Sequence, residues 1–306
     1  MSAANDWRLM PDIDPVAAER FADLDSVFAL EGEIVARDSM ALTLRIEING
    51  RRYYVKRYAG LGKKPLRRWF ATPRVQLEWE NLRHFSDWDI PTARLVGYGL
   101  QYQGGRFLRG ALITAEIPDT TDLGWLARNH DPRLKRRRWL DGVSRQLADI
   151  ARRMHSRRFV HGDFKWRNLL VDKADMLHLI DCPSGSFWRP PFLEYRIVKD
   201  LACLDKLAKL HLSRSRRLRF YLDYAQKKAL DTGDKRRIRK IVGFFTGRDE
   251  LVATAASLRA AGRNPLPQTS IELEDGRLMT VERWQRILPG KRLTGSAYDK
   301  GHFVGP

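Results

Sequence analysis

The chain has 306 residues, 43% hydrophobic and 30% charged, a composition that fits a folded protein and excludes wholesale disorder. Its formal charge of +19 predicts an acidic partner: nucleic acid, an anionic membrane face or a phosphorylated substrate. No apolar run approaches the roughly 18 residues a spanning helix needs, and the two cysteines, Cys182 and Cys203, form neither a disulfide framework nor a metal spacing.

From the N-terminus, MSAANDWRLMPDIDP lacks a basic start followed by an apolar core, so no signal peptide is expected and a reducing cytoplasm is the simplest setting. Asp14-Pro15 ahead of VAAERFADL reads as a capped helix start. ALTLRIEI (41–48) alternates, Asn49-Gly50 is a tight turn, and RRYYVKRY (51–58) returns as the second strand of a hairpin. Residues 74–86 read as a helix with Val75, Glu78, Leu82 and Phe85 on one face. Short β runs fill 90–116, the last being ALITAEI before Pro118.

Asp131-Pro132 is expected to start a long helix whose apolar stripe is Leu140, Val143, Leu147, Ile150 and Met154. NLLV (168–171) and LHLI (177–180) read as two short strands around a turn. Residues from 200 to about 245 read as helical and basic. The tail adds another helix and a hairpin, IELEDGRLMTV, turning at Asp275-Gly276. The order predicts an α+β, two-lobed plan. A β-rich N-lobe spans 1–116, a helical catalytic C-lobe 117–245, and a C-terminal extension 246–306.

The segment HGDFKWRN (161–168) carries chemistry. Phosphoryl transfer needs an acceptor hydroxyl held in line, metal on the phosphates and positive charge near the transferring group. Asp163 is placed to take the acceptor's proton, Lys165 to neutralise charge on the γ-phosphoryl, and Asn168 to ligate Mg²⁺. Asp181 in LIDC follows a strand-turn-strand that returns it beside Asn168 as a second metal ligand. Lys56 in YYVKRY is expected to hold the α- and β-phosphates, steadied by a helix glutamate. Glu78 is preferred to Glu80, which is turned about 200° away. Backbone at Glu116 and Ile117 reads either as the hinge that meets adenine or as an ordinary edge strand. Asp200 reads either as a helix cap or as a buried carboxylate bracing the catalytic loop.

With YYVKRY and LIDC, this loop resembles the protein-kinase-like superfamily. LRIEINGRRYYVKRY (44–58), LEWENLRHF with DIPT (77–92), LITAEI (112–117) and VKDLACL (198–204) are similar to the bacterial lipopolysaccharide core kinase family, the Kdo and heptose kinases, over residues 25 to 245. The resemblance implies an ATP- and Mg²⁺-dependent enzyme, cytoplasmic and peripheral on the inner membrane, that phosphorylates a sugar of the lipopolysaccharide inner core. It implies Lys56 as the nucleotide lysine, Glu78 its partner, Asp163 the base, and Asn168 and Asp181 the metal ligands. The chain departs from the wider pattern in three places. It has no G-x-G-x-x-G, so the turn over the phosphates falls near Arg37 to Met40. Cys182-Pro183 follows Asp181 in place of Phe-Gly, and the tail has no counterpart.

KKPLRRWFATPR (63–74) surrounds Trp69 and Phe70 with cations, the composition of an interfacial contact with an anionic membrane. PRLKRRRW (132–139) and SRSRRLR (213–219) add charge. The competing readings are a soluble kinase of the aminoglycoside or choline type and a non-catalytic pseudokinase scaffold. Excess positive charge argues against the first and the retained Lys56, Asp163, Asn168 and Asp181 against the second. No nucleic-acid signature accompanies the charge, so no nucleic-acid partner is expected.

Overall fold

A computed structural model describes residues 4–37, 40–59, 72–245, 270–272, 278–280, 292–293 and 303–304. The N-terminal part is a six-stranded antiparallel sheet of β1 (Ala4–Leu9), β2 (Glu33–Arg37), β3 (Ala41–Ile48), β4 (Arg51–Ala59), β5 (Leu95–Gln103) and β6 (Arg106–Ala115), ordered β1-β5-β6-β4-β3-β2. The hairpin of β3 and β4 turns at Asn49 and Gly50, whose φ of 51° and 69° are the left-handed values a two-residue hairpin turn requires. β1 was not expected, because its partner β5 lies some ninety residues on and nothing local in ANDWRL marks the pairing.

Strand alternation divides β4 between two faces. Tyr53 and Val55 join Leu44, Ile46 and Ile113 in a core capped by α1 (Pro15–Arg20) and α2 (Leu24–Ala29), through Ala17, Phe21, Leu24 and Val27. Asp14 caps α1 by accepting from the amides of Val16 and Ala17. The intervening residues Tyr54, Lys56 and Tyr58 therefore face the other way. On that side lies α3 (Arg74–Asp87), which buries Val75, Glu78, Trp79, Asn81, Leu82 and Phe85, with Trp79 stacked on Tyr98 at 4.9 Å.

The C-lobe follows through β7 (Thr121–Asp122) and α4 (Leu123–Arg128). The long helix expected from Asp131-Pro132 is corrected. Asp131 caps a separate 3₁₀ turn, Pro132–Lys135, and Arg136 is extended (φ −75°, ψ 109°), so α5 runs Arg137–Ser156. All five residues of its expected apolar stripe are buried. β8 (Phe159–Val160) leads into the catalytic-type loop, and β9 (Leu169–Val171) pairs antiparallel with β10 (Leu177–Leu179). β11 (Ser186–Phe187) pairs with β8. α6 (Phe192–His211) begins eight residues before the helical region expected from 200, and α7 (Arg214–Ala225) follows.

The chain forms two compact units, 1–230 and 231–306. The second contains α8 (Thr232–Gly243), opened by a reciprocal Asp231–Asp234 capping box. It also holds the paired strands β12 (Ser270–Glu272) and β13 (Leu278–Thr280), and β14 (Arg292–Leu293) with β15 (Phe303–Val304). Ile271 opposite Met279 matches the hairpin expected in the tail. The expected helix after 246, the interfacial segment up to residue 71 and the turn at 38–39 lie outside the described residues. Among those described, no helix is long and apolar enough to cross a membrane.

Candidate active site

Lys56 sits at the centre of the cleft-facing side of β4. Its Nζ lies 3.0 Å from Glu78 Oε1 and 2.6 Å from Asp181 Oδ1. Burial alone would lower its pKa, but Glu78, Tyr58 and Asp181 outweigh that and hold it above the ordinary lysine value. Burial pushes Glu78 up. Asp181 is held down because Lys56 outweighs its desolvation, so it stays ionised. Glu80, the alternative partner, is exposed and accepts from Gln76 at 2.9 Å.

Tyr58 was missed by sequence reasoning. Its hydroxyl donates to Glu78 Oε2, and its ring lies 5.6 Å from Lys56 Nζ. Both oxygens of the buried Glu78 carboxylate are thus engaged, one by an ammonium and one by a phenol. The signal was present: Tyr58 is two residues from Lys56 and so on the same face of a strand.

The loop 161–168 is held from beneath. Asp200 is fully buried in the middle of α6, which excludes the helix-cap alternative; it accepts from His161 N at 2.7 Å and Gly162 N at 3.0 Å. His155 Nε2 lies 3.5 Å from the same carboxylate. The His161 ring is buried between Phe85 (6.2 Å) and Phe164 (5.6 Å), and burial lowers its pKa, which favours the neutral form. Gly162 has φ +81°, and a Cβ there would meet the Ser184 carbonyl oxygen at 2.8 Å, so only glycine fits without strain.

Asp163 projects from this loop half-buried. Lys165 Nζ lies 2.5 Å from its Oδ1 and Arg167, four residues on, 3.4 Å from its Oδ2. Arg167 was another omission. The Asn168 side-chain amide donates to the Asp163 carbonyl at 3.0 Å, leaving its oxygen available to a cation. The β9–β10 hairpin closes on itself: Leu169 pairs with Leu179, and Ile180 N donates to Asn168 O at 3.0 Å. That pairing returns Asp181 beside Asn168. Asp181 has φ +60°, a left-handed value. Asn81 on α3 donates to the carbonyls of Cys182 (2.7 Å) and Gly185 (3.0 Å), tying the chain after Asp181 to the helix that carries Glu78.

At the junction of the lobes, the Glu116 amide donates to Arg52 O at 2.9 Å, its carboxylate accepts from Tyr54 at 3.2 Å, and Ile117 O accepts from Thr120 at 3.0 Å. The Glu116 carbonyl and the Ile117 amide are the backbone groups at the expected adenine hinge that these bonds do not use. The donor set Asn168–Asp181 is all oxygen, with one ionised carboxylate. No cluster of three or more His, Cys, Asp or Glu suited to a metal exists among the described residues. A hard cation that keeps its waters and takes phosphate oxygens suits such a set; one that needs a full protein cage does not.

A family model described as the lipopolysaccharide kinase (Kdo/WaaP) family matches residues 26–222. The chain is 28% identical over 138 residues to the lipopolysaccharide core heptose(I) kinase WaaP of Pseudomonas aeruginosa, covering 42% of this chain and 51% of that protein. It is 24% identical over 144 residues to the Escherichia coli protein of the same name, covering 44% and 52%. It thus spans about half the length of the curated relatives it matches. A solved structure, WaaP in complex with acyl carrier protein, has a similar fold at TM-score 0.56 and 23% identity, covering 84% of this chain and 95% of that one.

Proposed function

Because the chain belongs to the lipopolysaccharide kinase (Kdo/WaaP) family, we propose that it transfers the γ-phosphoryl of ATP to a heptose or Kdo hydroxyl of the lipopolysaccharide inner core, at the cytoplasmic face of the inner membrane. The observation that carries the chemistry is the ionic chain Glu78–Lys56–Asp181 facing the Asp163 loop. An ammonium held between two carboxylates is kept charged and in place for phosphate oxygens. Those oxygens compete with Asp181 for Lys56.

Asn168 and Asp181 would hold Mg²⁺, which supplies charge neutralisation on the phosphates when bound. Asp163 orients the acceptor hydroxyl and accepts its proton. Lys165 and Arg167, both beside Asp163, meet the negative charge of the transferring group and of an anionic acceptor. A sugar hydroxyl in a phosphate- and carboxylate-bearing saccharide suits two cations at the acceptor carboxylate better than a cationic aminoglycoside or choline does. The acyl carrier protein seen with the structural relative is carried over as a proposed partner.

The test is mass spectrometry of lipopolysaccharide from cells with and without the gene. It is paired with transfer of labelled γ-phosphate by the purified protein to dephosphorylated core, to choline and to an aminoglycoside. A core phosphate that depends on the gene is expected, together with label in the core alone. Label in choline or aminoglycoside with an unchanged core makes the protein a soluble small-molecule kinase. No label in any acceptor with intact nucleotide binding makes it a scaffold. Pull-down with acyl carrier protein tests the partner.

A further inference from the structure

Two basic runs that are about eighty residues apart in sequence meet in space. The N-terminal half of α5 and the facing side of α7 border a cavity of about 480 Å³, lined by Arg137, Asp141, Ser144 and Arg145 on one side and by Ser213, Ser215, Arg216 and Arg219 on the other. Asp141 joins the two walls: Arg216 lies 3.2 Å and Arg137 3.8 Å from its carboxylate. Arg145 donates its Nε to the Asp141 carbonyl at 3.1 Å, and no carboxylate pairs with it among the described residues. Asp223, 4.0 Å from Arg219, is the second acid of the lining.

We propose that this cavity binds a phosphorylated saccharide, at a site separate from the catalytic cleft. Four arginines against two aspartates leave the lining at +2, which matches the charge of about −2 on a phosphomonoester near neutral pH. Arginine forks suit phosphate oxygens, and with Arg216 fixed on Asp141, Arg145 is the guanidinium left to make that contact. Three serine hydroxyls offer partners to sugar hydroxyls. The lining has no aromatic ring on which a base could stack, which disfavours a nucleotide. The lining is concave and consists mostly of charged and hydroxyl side chains, which disfavours a lipid surface. The volume is that of a small-ligand pocket. Arg137 also lines an adjoining open hollow of about 590 Å³ with Arg136, Arg138, Trp139 and Asp175, so a longer anionic glycan has room to continue.

The site lies far from the chemistry. Asp141 precedes the end of α5 by fifteen residues, about 22 Å along the helix at 1.5 Å per residue, and the Asp163 loop follows that end. The inference is therefore independent of the phosphotransfer reading and is tested without nucleotide.

Calorimetric titration of the full chain with glucose 6-phosphate, glucose and inorganic phosphate reads it directly. Glucose 6-phosphate should bind saturably, at least tenfold more tightly than inorganic phosphate, and glucose should give no signal. Arg145→Gln should weaken glucose 6-phosphate binding at least tenfold, with Arg145→Lys between it and the parent. The melting temperature and Mg-ATP affinity of both variants should match the parent, as should flotation on phosphatidylglycerol vesicles. Equal binding by Arg145→Gln overturns the site, and so does the absence of glucose 6-phosphate binding. Phosphate binding as tight as glucose 6-phosphate overturns the saccharide. Loss of vesicle flotation by Arg145→Gln, with phosphosugar binding intact, reassigns the surface to lipid.

Discussion

Each catalytic-type carboxylate in this protein has a cation within hydrogen-bond reach, and the pairs differ in what they do. Asp163 is paired with Lys165 and Arg167, and Asp181 with Lys56; in the proposed reaction the first set meets the acceptor and the second the nucleotide. Asp163→Asn should lower phosphoryl transfer by orders of magnitude and leave Mg-ATP affinity unchanged, whereas Asp181→Asn should lower both. Turnover within a few fold of the parent for either variant would remove it from the site. Tyr58 should behave as a positioning residue. Tyr58→Phe leaves one oxygen of a buried carboxylate without its donor, at a cost of about 1–3 kcal/mol. In kinetics it should act through Lys56 and Glu78. Tyr58→Phe combined with Glu78→Gln should lose less than the sum of the two, because the residues form one unit. Additive losses in that double-mutant cycle would show that Tyr58 serves only packing.

The β9–β10 hairpin is the element that assembles the site, since Asn168 and Asp181 stand at its two open ends. Its turn is closed by Asp172, which accepts from the amides of Ala174 and Met176 and from the His178 ring at 3.0 Å. The hydrogen bond with His178, helped by the two amides, outweighs desolvation and holds Asp172 below its ordinary value. The unfolded chain therefore takes up this proton first as pH falls. The stabilisation is complete above the ordinary carboxylate value of about 3.9 and is lost as pH drops through the lower folded value. Asp172→Asn should thus melt lower than the parent near neutral pH, with the gap closing in acid; a gap independent of pH would refute the linkage. α6 is the second assembling element. Asp200→Ala orphans the His161 and Gly162 loop amides and should cost about 2–6 kcal/mol, at one to three per donor, and abolish transfer. A stable, active Asp200→Ala enzyme would show that the loop holds itself. Gly185→Ala tests the Asn81 tie, since its Cβ would lie 2.5 Å from both Cys182 Sγ and Phe159 Cζ.

For the whole molecule, the excess positive charge is the property from which an anionic partner is expected. A net charge of +19 draws the protein to anionic surfaces at low salt, and each surface cation contributes on the order of 1 kcal/mol until salt screens it. Flotation with anionic liposomes should be strong at low salt and weak at high salt. Replacing Lys63, Lys64, Arg67 and Arg68 with glutamine should weaken it and leave Mg-ATP binding intact, because the nucleotide lysine and its partners lie elsewhere in the chain. If the quadruple variant floats as the parent does, this segment is only a solvated surface and the charge needs another explanation. The charge does not act only as a diffuse field: some of it converges on one cavity between α5 and α7, and there it has a discrete ligand to find.

The sequence determined the two-lobed plan, the β3–β4 hairpin and the α5 stripe, because each is written in local periodicity: alternation around Asn-Gly, or a 3-4 apolar spacing along one helix. It also determined the phase that turns Glu78, and not Glu80, towards Lys56, since helix phase is a local property. What it could not carry were contacts whose partners lie far along the chain. β1 finds β5 across some ninety residues, and Asp200, for which the sequence left cap and loop brace open, is decided for the loop about forty residues earlier only by packing. Asn81 and Arg167 show nothing in their own spacing that sets them apart from ordinary helix and loop residues, and the spacing of Tyr58 puts it on the face of Lys56 without naming its partner. The break at Arg136 divided what read as one helix, because the Asp131 side chain captures the Arg133 amide and closes a separate turn. Local periodicity fixes which face of an element is apolar; only the packing of elements against one another decides which polar groups meet between them.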